Sequence, residues 1–195
     1  MKKNIAIFIS GRGSNMEAIA EQTRNGILRD VCNVTVVFSN RLSAEGLKTA
    51  RAYGIPTECI PSAKKEREAF DREVIERMKF YRPDYIVLAG YMRLLSPRFV
   101  RAYRRRIINI HPADSRFYQG LEGYAWAFRE NLPRTCITVH YVDEGMDTGE
   151  IIEQRELDIR GMESLEEVER AGLTLEHRMY SEVLKKVIER DSKDV

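Results

Sequence analysis

The alternation of short apolar runs with longer amphipathic segments constrains the fold of this chain most. Residues 4–10, Asn-Ile-Ala-Ile-Phe-Ile-Ser, are nearly continuous apolar sequence, which is typical of a strand buried on both faces. The segment from Asn15 to Gly26 then has a helical pattern and stops at a glycine. Such β-α alternation predicts an open, mostly parallel sheet with helices on both faces, and sheets of this kind bind ligands at the carboxyl ends of their strands.

The same alternation continues along the chain and predicts one domain over residues 1–195. Ser96-Pro97 matches a helix N-cap followed by proline, and Ser164 with Glu167 matches a capping box. A short glycine-rich turn over 143–149 separates the last two strands, so we expect antiparallel character near the C-terminal end. Strands are predicted over 4–10, 34–38, 57–60, 85–89, 107–110, 134–141 and 150–156. Helices are predicted over 15–26, 44–53, 66–81, from 97 onward, 121–130 and 164–190.

The composition excludes several classes of protein. Net charge is +2 and 43% of residues are apolar, a balance that is typical of a soluble globular chain and does not favour nucleic acid as a partner. Three cysteines and three histidines lack ligand spacing, so we expect neither a disulfide framework nor a metal site. No apolar run approaches the length of a membrane span or a signal sequence. We therefore expect a cytoplasmic protein without a membrane partner.

A glycine-rich turn, Gly11-Arg-Gly-Ser-Asn15, joins the first strand to the first helix. Free N–H groups and the partial positive charge at a helix start suit a phosphate. Met16 stands where the dinucleotide fingerprint needs glycine, the second strand ends in Ser39-Asn40 rather than an acid, and the lysine of a P-loop is absent. The turn therefore predicts a phosphate site without nicotinamide, and the alternative is a simple strand-to-helix turn.

Three polar residues near the later strand ends are candidates for catalysis. Asn109 and His111 alternate on one strand, so their side chains share a face where they could donate hydrogen bonds to an oxyanion and move a proton. Asp147, in a turn between two glycines, could orient His111, although it could also simply cap its own loop. A histidine before proline is, by itself, more often structural. We expect the three to meet where two parallel strands end, beside the first helix start.

Other polar and apolar positions leave two interpretations open. The loop Gly90-Tyr-Met-Arg-Leu-Leu95 could receive a flat heterocycle, with its arginine facing an acidic tail, or could be a hydrophobic connection. His140, on an alternating strand, is interpreted as structural. Glu176 and His177 lie in the middle of the last helix and are interpreted as part of a solvated face.

These segments together resemble the glycinamide ribonucleotide formyltransferase family, which uses 10-formyltetrahydrofolate in purine synthesis. The resemblance covers nearly the whole chain. Its most specific part is the Gly-x-Gly-Ser-Asn loop, which points to a ribonucleotide phosphate. Asn109, His111 and Asp147 match the family's catalytic triplet. Relatives that formylate initiator tRNA or amino sugars, or hydrolyse formyltetrahydrofolate, share that triplet, so it implies only the reaction class.

The resemblance also implies a role for each matching position. His111 and Asn109 would stabilise the oxyanion formed when the amine attacks the formyl carbon, and Asp147 would pair with His111 and help pass the proton. 10-Formyltetrahydrofolate would be the co-substrate, with no metal, in a monomer or homodimer. Contacts to the substrate phosphate and ribose would come from Gly13, Ser14, Asn15 and Glu176. The folate pocket would be lined by Arg67, Met92, Arg93, Leu95, Val142 and Asp143.

Residues 113–119, Ala-Asp-Ser-Arg-Phe-Tyr-Gln, depart from the family pattern. Relatives usually have Ser-Leu-Leu-Pro, an aromatic residue and proline before the glycine that is Gly120 here. Because this stretch borders the amine substrate, two alternatives stay open. The chain could formylate another small phosphorylated or nucleotide-linked amine, or it could be a folate- or nucleotide-binding sensor without turnover.

Overall fold

A computed structural model describes residues 1–192, so the last three residues of the predicted domain span, 193–195, lie outside the described residues. The described part contains seven strands and six helices. The strands are β1 Lys3–Ile9, β2 Cys32–Ser39, β3 Thr57–Cys59, β4 Tyr85–Leu88, β5 Ile107–His111, β6 Arg134–Tyr141 and β7 Ile151–Asp158. The helices are α1 Ser14–Asn25, α2 Gly46–Ala52, α3 Arg67–Tyr81, α4 Pro97–Ala102, α5 Gly123–Arg129 and α6 Leu165–Asp191.

All seven strands form one sheet in the order β3-β2-β1-β4-β5-β6-β7. Strands β1 to β5 pair in parallel, whereas β6 pairs antiparallel with both β5 and β7. The predicted fold class, a mostly parallel sheet with antiparallel character near the C-terminal end, is therefore confirmed. Alternate residues of β1 enter two cores on opposite faces: Ile5, Ile7 and Ile9 pack with α1 and α6, while Ala6 and Phe8 pack with α3 and α4.

Local signals set the helix ends largely as predicted. The Ser96 side chain accepts a hydrogen bond from the Phe99 N–H at 3.3 Å, and Ser164 caps α6 in the same way at 3.2 Å from the Glu167 N–H. The Glu167 carboxylate accepts from the Glu163 N–H at 2.9 Å, so the second half of the capping box lies one residue earlier than predicted. Within residues 1–192, no helix is long and apolar enough to cross a membrane.

Tyr180 connects the two parallel strands that border the site. Its side chain is fully buried, and its hydroxyl lies 2.8 Å from the Leu88 carbonyl oxygen and 2.9 Å from that of Ile108. Leu88 is the last residue of β4, and Ile108 directly precedes Asn109 on β5, so one α6 side chain ties both strands to the helix layer.

We expect Tyr180→Phe to lower the free energy of unfolding by about 1–3 kcal/mol, because it leaves buried carbonyl groups without this donor. Urea denaturation at neutral pH measures the change. A loss below about 0.5 kcal/mol, the size of an ordinary surface substitution, would show that the hydroxyl does not stabilise the strand ends.

Candidate active site

The three predicted catalytic residues lie together at the carboxyl end of the sheet. Asn109 and His111 are on β5, and Asp147 reaches them from the loop between β6 and β7. The His111 Nδ1 atom is 3.5 Å from Asp147 Oδ2, and the Asn109 Nδ2 atom is 3.2 Å from Asp147 Oδ1. We call Asn109, His111, His140 and Asp147 the catalytic cluster, since His140 joins the other three.

His140, interpreted from the sequence as structural, is the fourth member of the cluster. Antiparallel pairing of β5 with β6 places His140 directly opposite Asn109. Its Nδ1 atom lies 2.9 Å from the Tyr141 carbonyl oxygen, so we assign the proton there, and Nε2 accepts from the Asn109 amide at 3.2 Å. The same Nε2 atom is 3.5 Å from Asp147 Oδ1. The cluster thus sits between one parallel and one antiparallel pairing, not between two parallel strands as predicted.

Asp147 is held at the centre of the cluster. Its backbone is in the left-handed region, φ 53°, and its Oδ2 atom accepts the Gly120 N–H at 3.0 Å. Burial by itself raises the pKa of the Asp147 carboxyl, but the neighbouring His140, the charge of His111 and the Gly120 N–H together outweigh burial and lower the pKa below its ordinary value. The cluster therefore contains a carboxylate that is ionised at neutral pH.

The divergent segment 113–119 packs on His111. The His111 ring is 3% exposed, and its Nε2 atom lies 2.9 Å from the Tyr118 carbonyl oxygen. Both ring nitrogens therefore face oxygen atoms, Nε2 the Tyr118 carbonyl and Nδ1 the Asp147 carboxylate. Asp114 and Arg116 pair with each other, and their hydrogen bond lowers the pKa of Asp114 to about 2. The charges of this segment are thus satisfied locally.

A cavity of about 340 Å³ opens in front of the catalytic cluster. Predicted folate contacts on its wall are Met92, Arg93, Leu95 and Val142. Its other lining residues include Leu88, Gly90, Tyr91, Leu94, Ile110, Pro112, Leu121 and Met146, together with all four members of the catalytic cluster. The cavity is therefore an apolar slot with polar groups at one end.

Two predicted folate contacts do not line this cavity in the part of the chain that the structure describes. Arg67 is the exposed first residue of α3. Asp143 caps its own loop instead, accepting from the Gly145 N–H at 3.0 Å and the Thr148 hydroxyl at 2.7 Å. A larger groove of about 760 Å³ runs along α3 between charged, exposed side chains and shares no lining residue with the slot.

The predicted phosphate and ribose residues form a second, adjacent cluster. Gly13, with φ 79°, precedes the first turn of α1, and a β-carbon there would lie 3.0 Å from the Gly46 Cα atom, so only glycine fits. Ser14 begins α1, and the Asn15 amide donates to Glu176 Oε2 at 2.5 Å. Glu176 is 5% exposed, which corrects its interpretation as part of a solvated face. Tyr124, which sequence reasoning missed, donates to Glu176 Oε1 at 2.5 Å.

The second cluster lies beside the slot because β1 and β4 are neighbours. The Ser10 N–H donates to the Gly90 carbonyl oxygen at 3.0 Å, and the Met92 N–H donates to the Ser10 hydroxyl at 2.7 Å. These bonds join the glycine turn after β1 to the loop after β4. The two predicted ligand sites therefore share one edge of the sheet.

Comparison with known proteins decides the family. The model of the family described as formyl transferase matches residues 3–184. The chain belongs to the formyl transferase family. Its sequence is 36% identical over 187 residues to a phosphoribosylglycinamide formyltransferase of Bacillus subtilis, covering 95% of each chain. It is 38% identical over 182 residues to the enzyme of that name from Escherichia coli, covering 93% of this chain and 85% of the relative. The predicted resemblance is thus confirmed.

Solved structures agree with this membership. Glycinamide ribonucleotide transformylase 1 from Symbiobacterium toebii superposes with a TM-score of 0.91 at 36% identity, covering 96% of this chain and 88% of that one. Phosphoribosylglycinamide formyltransferase from Bacillus halodurans superposes with a TM-score of 0.90 at 37% identity, covering 95% of each.

The slot of this formyl transferase has mostly apolar walls. The family uses 10-formyltetrahydrofolate, whose bicyclic ring has a planar pyrimidine half and polar edges. The apolar side chains of Met92, Leu95 and Val142 offer walls for such a ring, and Gly90 leaves open space where a β-carbon would otherwise project. The catalytic cluster lines the same slot.

Proposed function

We propose that this formyl transferase moves the formyl group of 10-formyltetrahydrofolate to the amine of glycinamide ribonucleotide in purine synthesis. One observation carries the proposal: the catalytic cluster closes an apolar slot that lies beside the Gly13 turn and the buried Glu176 carboxylate. The names of the relatives from Bacillus subtilis and Escherichia coli support the same acceptor.

We assign different roles in formyl transfer to the side chains of the catalytic cluster. The folate supplies the formyl carbon. His111 would exchange the Nε2 hydrogen bond to the Tyr118 carbonyl for one to the formyl oxygen as charge develops, and Asp147 would hold the ring in place. The Asn109 amide donates one hydrogen bond to His140 and one to Asp147. To donate to the formyl oxygen, it would have to replace one of these two hydrogen bonds. As the amine nitrogen bonds to the formyl carbon, the bond between that carbon and the folate nitrogen breaks, and the Asp147 carboxylate, ionised at neutral pH, would help pass the amine proton to the departing folate nitrogen.

Most of the proposed binding residues lie in the second cluster or line the slot. Gly13, Ser14 and Asn15 would hold the phosphate at the start of α1, and Glu176 would accept from the ribose hydroxyls. Folate contacts are proposed for Met92, Arg93, Leu95 and Val142 on the slot, and for the backbone of Asp143 beside Val142. The role of Arg67 stays a prediction from the resemblance alone.

A turnover assay tests the proposed function. Purified protein mixed with 10-formyltetrahydrofolate and glycinamide ribonucleotide should release tetrahydrofolate, followed by absorbance, only when both are present. Turnover with a different phosphorylated amine but not with glycinamide ribonucleotide would overturn the acceptor. Folate binding without formylation of any amine would favour the sensor alternative.

We propose further that the chain acts as a single cytoplasmic domain on small molecules, with neither nucleic acid nor membrane as a partner, as a monomer or homodimer and without a metal. The small net charge of +2 supports the absence of a nucleic-acid partner. Cys32, Cys59 and Cys136 are all free thiols, which suits a reducing compartment.

A further inference from the structure

The Glu176 carboxylate is buried between two donors that come from different helices. The Asn15 amide of α1 donates to Oε2 and the Tyr124 hydroxyl of α5 donates to Oε1, both at 2.5 Å. All three side chains are at most 8% exposed. A buried carboxylate is tolerated only where donors satisfy it, so these two bonds fix the plane in which its remaining lone pairs point.

A glycine in the middle of α6 makes room for Tyr124. Gly172 lies one turn before Glu176 on the same face of the helix. A β-carbon at Gly172 would overlap the Tyr124 ring. Glycine in a helix interior costs about 1 kcal/mol relative to alanine, so its presence requires a packing reason, and the ring supplies one.

A buried amide oxygen lies beside this carboxylate. Within residues 1–192, the Asn15 Oδ1 atom is buried and has no hydrogen-bond partner, although the Nδ2 atom of the same amide is paired with Glu176. Buried polar atoms are normally paired, and a ligand hydroxyl is the kind of donor that would satisfy this one.

We propose that Tyr124 is a positioning residue for ribonucleotide binding, which orients Glu176 toward the sugar hydroxyls without touching the reacting atoms. The proposal rests on the proposed function. The segment that carries Tyr124 also contacts the catalytic cluster, since the Tyr118 carbonyl accepts from His111 and the Gly120 N–H donates to Asp147. One stretch of chain, residues 118–124, therefore contacts both the proposed sugar-binding carboxylate and the catalytic cluster.

Removal of the hydroxyl should weaken ribonucleotide binding selectively. In Tyr124→Phe the ring still packs on Gly172, but Glu176 loses one donor and its fixed orientation. We expect the KM for glycinamide ribonucleotide to rise about tenfold, equivalent to about 1.4 kcal/mol. The kcat and the KM for 10-formyltetrahydrofolate should stay within about twofold of wild type, because Tyr124 does not line the slot. Gly172→Ala, which displaces the ring, should give the same selective rise.

Tyr81→Phe is the matched control. It removes another tyrosine–glutamate hydrogen bond, 2.7 Å to Glu58, at a site that shares no residue with either cluster, and should change no kinetic constant. An equal rise of both KM values, no rise, or a fall for the ribonucleotide would overturn the proposal.

Calorimetric binding of ribose 5-phosphate separates this proposal from the proposed function. The Kd should rise in Tyr124→Phe and Gly172→Ala but not in Tyr81→Phe, whichever amine the enzyme formylates. If wild type binds ribose 5-phosphate but does not formylate glycinamide ribonucleotide, only the proposed acceptor fails. If wild type turns over normally and Tyr124→Phe binds ribose 5-phosphate as tightly as wild type, only the positioning role fails. Absence of ribose 5-phosphate binding to wild type would also overturn the positioning role.

Discussion

His111→Ala should lower the kcat of formyl transfer about 10³- to 10⁴-fold, the largest effect expected of any single substitution in this protein. One imidazole makes two contributions to the rate: it donates a hydrogen bond to the formyl oxygen as negative charge develops there, and it transfers a proton. Each contribution raises the rate by about 10²-fold or more. Steady-state kinetics with both substrates measures the loss. The Kd for 10-formyltetrahydrofolate, measured by calorimetry, should change by less than about threefold, because His111 is one of many residues on the slot.

His111→Gln controls for packing. The glutamine amide can still donate toward the Tyr118 carbonyl, which accepts from His111 Nε2 in the wild type, but it does not transfer a proton near neutral pH. We expect this variant to restore the stability lost in His111→Ala without restoring the rate. A rate close to wild type in either variant would remove His111 from the mechanism.

The sheet was predictable because its signals are local. Residues 4–10, 34–38 and 85–89 are runs of mostly apolar side chains, as required where helices cover both faces of a parallel sheet, and a glycine directly follows the first and the third run. The positions of Asn109 and His111 followed from the two-residue period of a strand. That Asp147 would meet them followed from the resemblance and the glycine-rich turn, since pattern alone also allowed a loop-capping role.

The contacts of His140 and Tyr124 could not be predicted, because they depend on strand register and on packing between elements that are distant in sequence. His140 faces Asn109 because β5 and β6 pair antiparallel in one particular register, and nothing in residues 134–141 specifies the partner opposite each position. Tyr124 meets Glu176 across 52 positions of sequence. The only local trace of this contact was Gly172, a glycine inside a strong helical pattern, which indicates close approach without naming the partner.

Asp147→Asn should lower kcat about 10²- to 10³-fold with little change in folate affinity. The carboxylate accepts from Asn109 on one oxygen and from the Gly120 N–H on the other, with His111 3.5 Å from the second. An amide has only one acceptor oxygen, so its N–H₂ group would face a donor on one side and His111 would lose its anionic partner. Titration of Asp147 itself should add no pH dependence to the loss between pH 6 and 8, because the lowered pKa keeps this carboxyl ionised throughout that range.

The stability of Asp147→Asn provides an independent check on the sign of that pKa shift. The folded protein holds the carboxyl pKa below its ordinary value of 3.8, so the ionised group stabilises the fold above that value, and this contribution is lost as pH falls through the folded-state pKa. The difference in unfolding free energy between wild type and variant should therefore be full at pH 7 and shrink on acidification below about pH 4. Glu144→Gln, an exposed carboxylate of the same loop paired with Arg101 at 3.2 Å, should change neither rate nor stability. If the two variants behave alike, Asp147 is only a loop residue and the catalytic cluster loses its anionic centre.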